Sequence, residues 1–119
     1  MARKQLIKDC DILWSKIIRT RAGQKCQICG LRASEAHHIA GRGMSVRFSL
    51  GNGLAMCRKC HNHDFEGEME VKISKLIGEN QLEALKILAR LSIKLTSYDL
   101  AELKKELTKT LKETDGKNY

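Results

Sequence analysis

The cysteines of this chain have the spacing of a metal site. Four of the five form two Cys-x-x-Cys pairs, Cys26 with Cys29 and Cys57 with Cys60, and 27 residues separate the pairs. Four thiolates at this spacing can converge on one tetrahedral zinc ion. Gly30, directly after the first pair, suits the tight turn that such a site needs. We therefore predict a structural zinc site formed by the four paired cysteines.

Other uses of paired cysteines fit this sequence less well. A thioredoxin-like redox pair requires a strand-helix-strand pattern, and neither pair lies in one. Disulfides are disfavoured because nothing in the sequence indicates export to an oxidising compartment. A redox or zinc-sensing regulator stays open as an alternative, and it would need one labile pair. Cys10, the unpaired cysteine, is predicted to be a buried apolar residue.

The histidines are clustered in the same region. All four follow the first cysteine pair, and they are His37, His38, His61 and His63. A zinc site would hold the segment between the two cysteine pairs at both ends, which directs His37, His38 and His61 towards one small region. Imidazole can take a proton from water near neutral pH, and a divalent cation can stabilise charge on a phosphate. This grouping favours phosphodiester hydrolysis, whereas His63 is expected to be a solvated residue on another helix face.

Positive charge is concentrated in the same half of the chain. The net charge is +8, from 22 basic and 14 acidic residues. Residues 1–60 hold 12 basic and 3 acidic side chains, a net of +9, and residues 61–119 hold 10 and 11, a net of −1. A localised basic field attracts polyanions such as DNA, although a solvated surface explains such charge equally well. Membrane-surface binding is disfavoured because this half does not form one basic amphipathic helix.

The elements that position these residues are predicted to form a mostly helical α+β domain of 119 residues. Apolar residues recur at helical spacing in 5–21, 69–77, 80–93 and 100–111, and we expect the last helix to be capped by Ser97. The first helix should end near Gly23, and a short helix should begin near Met56 or Cys60. No run reaches the roughly 18 apolar residues of a membrane span, and no secretory signal is evident, so a cytoplasmic location is expected.

The motifs together resemble the HNH, or ββα-metal, endonucleases. The matching segments are Cys26-x-x-Cys29, Ala36-His37-His38-Ile39 and Asn52-Gly53-Leu54-Ala55-Met56-Cys57-x-x-Cys60-His61. The flanks resemble more loosely the small phage HNH nucleases of the NinG/Rap recombination type, through Leu13-Trp14, Arg47-Phe48 and the downstream helices. The resemblance implies a single nuclease domain with an N-terminal helix (1–23), a zinc-bound ββα core (24–65) and a helical C-terminal part (66–114).

The resemblance also implies a role for each matching residue. His38 would be the general base of a metal-dependent DNA endonuclease, although spacing alone leaves His37 open for that role. Asn52 would hold the hairpin loop and help to orient His38, while His37 and His61 would bind the catalytic ion, Mg²⁺ or Mn²⁺. Many members have Asp where this chain has His37, so softer metal ions should compete better here. Because Phe65 stands where some members have a further histidine, only two histidine ligands are expected.

DNA is the expected partner of the basic half. Arg42, Arg47 and Arg58 are predicted to contact the DNA backbone, and Arg42 and Arg47 are candidates to hold the scissile phosphate. The helical flanks leave open a phage recombination or packaging protein as a further partner. The main alternative is a non-catalytic zinc-dependent DNA-binding module. Such a module shares the cysteines and the charge but has no need of histidines and Asn52 at fixed spacing.

Overall fold

The computed structural model describes residues 2–62 and 67–116. Within these residues the chain is a small α+β structure, mostly helical, with one antiparallel two-stranded sheet. In chain order the elements are α1 (Arg3–Arg21), β1 (Glu35–His38), a 3-10 turn (Leu50–Asn52), β2 (Gly53–Met56), α2 (Arg58–His61), α3 (Glu68–Ile77), α4 (Glu79–Ala89) and α5 (Ser97–Asp115). None of the helices in the described part of the chain has the length and apolar character needed to span a membrane.

Helix α1 forms because its apolar residues recur every three or four positions along one face. Leu6, Cys10, Trp14 and Ile17 are all buried. Arginines in the last turn interact favourably with the negative end of the helix dipole. Gly23, at φ +64°, lies just after the end of the helix. These observations confirm the predicted helix and the burial of Cys10.

The main core lies between the first and last helices. Leu6, Cys10 and Ile17 of α1 pack against Leu100 and Leu107 of α5. The Cys10 thiol also lies 3.6 Å from the carbonyl oxygen of Leu100. The leucine stripe of the last helix is therefore core at these two positions, as expected for a small domain with little apolar surface to spare.

The antiparallel hairpin determines which residues lie opposite the two adjacent histidines. In the antiparallel register, His38 lies opposite Gly53 and His37 lies opposite Leu54. Successive residues of a strand point to opposite faces.

A methyl group on Gly53 would lie 2.5 Å from Ile18 Cδ1 and 2.7 Å from Trp14 Cζ2. Glycine at this position therefore allows α1 to pass directly over β2.

Two predictions about the C-terminal helices are wrong. Helix α4 ends at Ala89 rather than Ile93, and the Ser45 hydroxyl donates a 2.7 Å hydrogen bond to the Leu88 carbonyl in its last turn. The cap of α5 is Thr96, not Ser97. Thr96 Oγ1 accepts from the backbone N–H of Asp99, and the Asp99 carboxylate accepts from the backbone N–H of Thr96. This reciprocal pair makes Ser97 the first helical residue.

The apolar face predicted for residues 69–77 is only partly covered. Met69 and Ile73 are buried against Leu54 and Met56 of the hairpin. Val71 and Leu76 are 56% and 49% exposed. Helix α3 packs on the hairpin along one narrow stripe, so the residues beside that stripe stay in solvent.

Candidate functional site

The four paired cysteines converge on one point. One sulphur from each of Cys26, Cys29, Cys57 and Cys60 lies within 4.8 Å of every other, and Cys29 Sγ is 3.7 Å from Cys57 Sγ. A tetrahedral zinc site with Zn–S bonds of about 2.3 Å has sulphur atoms roughly 3.8 Å apart. The donor set and the spacing therefore fit a zinc ion.

Backbone hydrogen bonds build each half of this cysteine site. The N–H of Gly30 donates to the carbonyl of Cys26 at 2.9 Å, and Gly30 adopts φ +81°. In the second half, Cys57 is the N-cap of α2, and its sulphur accepts from the N–H of Cys60 at 3.4 Å. Gln27 ties the halves together, since its backbone N–H donates to Ala55 of β2 and its side-chain oxygen accepts from the Ala55 N–H.

The cysteine thiols differ in pKa, and so in how readily each one ionises to bind a metal. Burial opposes ionisation of Cys26, but backbone N–H groups of Cys29, Cys57 and Ile28 outweigh it and lower the pKa of the Cys26 thiol to about 6. Burial, together with hydrogen bonds among the sulphurs, raises the pKa of Cys60 to about 12. Four clustered sulphurs cannot all carry negative charge without a cation, and a bound zinc ion supplies one.

The three predicted active-site histidines share one cleft. His37, His38 and His61 line an open space of about 460 Å³, which we call the histidine cleft. Its remaining lining comes from α1, from β1 and from the loop after β1: Asp11, Trp14, Ser15, Ala36, Gly41 and Arg42. The structure therefore brings together the histidines that are well separated in the sequence.

The ring of His38 is held in one tautomer. Its Nε2 lies 3.1 Å from the carbonyl oxygen of Arg47. Because a carbonyl oxygen only accepts, Nε2 carries the hydrogen and Nδ1 of the neutral ring has a free lone pair. The indole of Trp14 stacks on the imidazole, with centroids 4.0 Å apart and planes at 11°. Burial lowers the pKa of His38, which favours the neutral ring at neutral pH.

His61 has a partner that the sequence analysis missed. Its Nδ1 lies 2.6 Å from Glu35 Oε1, so Nδ1 donates and Nε2 is the nitrogen left to bind a ligand. The hydrogen bond from His61 lowers the pKa of Glu35, and Arg58 adds to this effect. A lone glutamate two residues before His37 forms no recognisable motif, so only the fold reveals this contact.

His37 and His61 lie side by side. Their rings meet edge to face, with centroids 5.2 Å apart. Two neighbouring imidazoles can supply two ligands to a divalent ion, which leaves positions for water or phosphate oxygens. In the described part of the chain, the four cysteines form the only group of three or more potential metal ligands. A metal ion bound by His37 and His61 would therefore have two histidine ligands and further coordination positions open to other ligands.

Asn52 holds the loop between the strands. It is completely buried, and its Oδ1 accepts from the N–H of Ala40 at 2.7 Å. Its Nδ2 donates to the carbonyls of Gly41 and Val46, both at 3.1 Å. The side chain thereby fixes both ends of the turn that carries Arg42, and Arg47, the partner of His38, directly follows Val46.

The three predicted DNA-binding arginines have different surroundings. Arg47 is mostly buried, with 18% of its side chain exposed, and makes two hydrogen bonds to Asp11 at 2.9 and 2.7 Å. Arg42 is 60% exposed and lies 3.4 Å from Asp11. Arg58 is 78% exposed and lies 3.5 Å from Glu35. Arg42 and Arg58 can therefore reach a polyanion, whereas the guanidinium of Arg47 is engaged by Asp11.

Two further residues with a predicted role or position, His63 and Phe65, lie outside the described residues. Comparisons with protein-family models, with curated proteins and with solved structures give no match to this chain.

Proposed function

We propose that this chain is a metal-dependent DNA endonuclease of the HNH type, with a histidine general base and one catalytic divalent ion. The observation that carries the proposal is the state of His38 in the histidine cleft. Its Nε2–H donates to the Arg47 carbonyl, so Nδ1 of the neutral ring is the proton acceptor, and His38 lines the same cleft as His37 and His61. This arrangement also favours His38 over His37 as the base.

In the proposed reaction, Nδ1 of His38 takes a proton from a water molecule that attacks the phosphorus in line with the departing 3′ oxygen. The Arg47 carbonyl keeps its hydrogen bond to Nε2 and stabilises the imidazolium that forms. His37 and His61 would hold Mg²⁺ or Mn²⁺, which when bound supplies positive charge near the phosphate and the 3′ oxygen. Glu35 keeps the Nε2 of His61 available for this task.

The rest of the site supports this chemistry without entering it. The cysteine site would hold zinc and join the segment before β1 to the start of α2, so that the histidines keep their places. Arg42, at the edge of the histidine cleft and largely exposed, is the best placed of the arginines to bind a phosphate. The basic N-terminal half would attract the DNA.

The test is cleavage of supercoiled plasmid by purified protein in Mg²⁺, in Mn²⁺ and in EDTA. We expect metal-dependent nicking or linearisation by the wild type and its loss in His38→Ala, with zinc content and DNA binding retained. His63→Ala is the matched control, because no role is proposed for that histidine, and it should cut as the wild type does.

Two results would contradict the proposal. Cleavage by His38→Ala at the wild-type rate would show that His38 is not the base. Absence of cleavage with every ion, while DNA binding is intact, would favour the non-catalytic zinc-dependent DNA-binding module instead.

A further inference from the structure

We infer that α1 belongs to the catalytic apparatus, with Asp11 and Trp14 as positioning residues for His38. This inference rests on the proposed function, because it assigns helix residues to the base of that reaction. Asp11 lies in none of the segments that carry the family resemblance, and Trp14 belongs only to the looser resemblance of the flanks, with no role implied for it.

Asp11 acts through Arg47. Its two carboxylate oxygens accept from Nε and Nη2 of Arg47 at 2.9 and 2.7 Å, and this paired geometry fixes the orientation of the guanidinium. The carbonyl of the same Arg47 accepts from Nε2 of His38 at 3.1 Å. Asp11 therefore fixes the residue whose backbone oxygen selects the tautomer of the base.

Trp14 acts directly on the ring. Its indole covers one face of the His38 imidazole, at 4.0 Å and 11°. The indole is itself fixed, since it is 1% exposed and its Nε1 donates to the carbonyl of Ser49 at 2.8 Å. A stacked ring on one side and a hydrogen bond at Nε2 leave His38 little freedom to turn.

The two residues lie three positions apart and so share one side of the helix. Trp14 continues the buried face that also includes Cys10 and Ile17, whereas Asp9 lies elsewhere on the helix and accepts from Lys104 of α5 at 3.0 Å. Asp9 and Asp11 are similarly exposed, at 21% and 24% of the side chain, and each forms an ion pair with another segment. Of these two ion pairs, only the Asp11 pair involves a residue, Arg47, that is hydrogen-bonded to His38. Asp9 therefore serves as a matched control.

The kinetic test compares Asp11→Ala with Asp9→Ala in single-turnover plasmid cleavage. Misplacement of a catalytic group by about 1 Å can cost on the order of a hundredfold in rate. We expect Asp11→Ala to lower the rate at saturating protein at least tenfold, with little change in the half-saturating concentration. Asp9→Ala should leave both quantities unchanged. Equal rates for the two variants, or an effect of Asp11→Ala on DNA affinity alone, would overturn the inference.

A second measurement needs no activity and so separates this inference from the proposed function. In the NMR spectrum of the zinc-loaded protein, the Nε2 proton of His38 should exchange slowly with water. It should exchange faster in Asp11→Ala and stay slow in Asp9→Ala. Unchanged exchange in Asp11→Ala would show that Asp11 does not fix the base, even if the protein cuts DNA.

Trp14 is tested with a graded pair of variants. Trp14→Phe keeps an aromatic face over His38, whereas Trp14→Leu removes it. We expect faster Nε2–H exchange and slower cleavage in Trp14→Leu than in Trp14→Phe. If Trp14→Leu does not fold, Trp14→Phe still decides the point, because slow exchange in that variant supports stacking and exchange as fast as in Asp11→Ala contradicts it.

Discussion

Glu35 shows how a single side chain can decide what a neighbouring histidine does. A neutral imidazole has one donor and one acceptor nitrogen, and the hydrogen bond at one nitrogen determines the role of the other. The carboxylate of Glu35 accepts a hydrogen bond from Nδ1 of His61, with Oε1 2.6 Å from Nδ1, and it also lies near Arg58. In the proposed enzyme this contact fixes the ring so that Nε2 meets the catalytic ion.

We predict that Glu35→Gln weakens the response to metal. Loss of an outer-shell carboxylate typically costs about 10–100-fold in metal affinity or activity. The Mn²⁺ concentration for half-maximal plasmid cleavage should therefore rise by about tenfold or more. The control is Glu68→Gln, which removes an exposed carboxylate that pairs with Lys72 of the same helix. An identical Mn²⁺ response in wild type and Glu35→Gln would contradict the prediction.

At the scale of elements, the close approach of α1 to β2 determines the surroundings of His38. Gly53 lies opposite His38 in the hairpin and has no side chain to keep Trp14 and Ile18 away. The indole can therefore reach across the strand and cover the imidazole. Helix and hairpin thus meet at a position where β2 has no room for a side chain.

We predict that Gly53→Ala destabilises the fold. Overpacking a filled site costs about 1–3 kcal/mol, and the Trp14 ring is buried and has no room to move. Urea unfolding of the zinc-loaded protein should show a lower midpoint for this variant. Gly51→Ala is the control, because a methyl group there comes no closer than 3.5 Å to the end of a flexible glutamine side chain. Equal midpoints for the two variants would contradict the close approach.

Sequence patterns predict the elements better than their ends and contacts. The helical spacing of α1 correctly predicted a helix, and the two Cys-x-x-Cys pairs correctly predicted that the four cysteines lie close together. The last turn of α4 accepts a hydrogen bond from Ser45 at the Leu88 carbonyl, 43 residues away in the sequence, and no local signal reports this contact. The Asp11–Arg47 pair spans 36 residues and is invisible for the same reason. Long-range partners of this kind are decided by how the elements pack.

At the scale of the whole molecule, the cysteine site determines the path of the chain on both sides of the hairpin. It brings residues 26–29 close to residues 57–60, and these segments flank the hairpin, whose first strand carries His37 and His38. The hairpin itself is short, with four residues in each strand, and a two-stranded sheet is marginally stable by itself. Metal binding is therefore expected to be coupled to folding of this part.

We predict one tightly bound zinc ion per chain in the wild type. Cys60→Ser should lose most of this zinc on dialysis, because a hydroxyl is a poor replacement for a thiolate, and the hairpin should unfold with it. Cys10→Ala should keep its zinc, since Cys10 packs in the core between α1 and α5. Zinc content by elemental analysis and unfolding by circular dichroism provide the check. Full retention of zinc by Cys60→Ser would contradict the assignment.

The packing of α1 on α5 affects the order in which parts of the protein fold during synthesis. Helix α1 leaves the ribosome before α5, yet Leu6, Cys10 and Ile17 are covered by residues of α5, some 90 positions later. Until residues 97–115 have emerged, α1 lacks its packing partner and is not yet held over the hairpin. The histidines and cysteines are therefore made before α5, but the proposed catalytic centre is completed only after α5 has emerged.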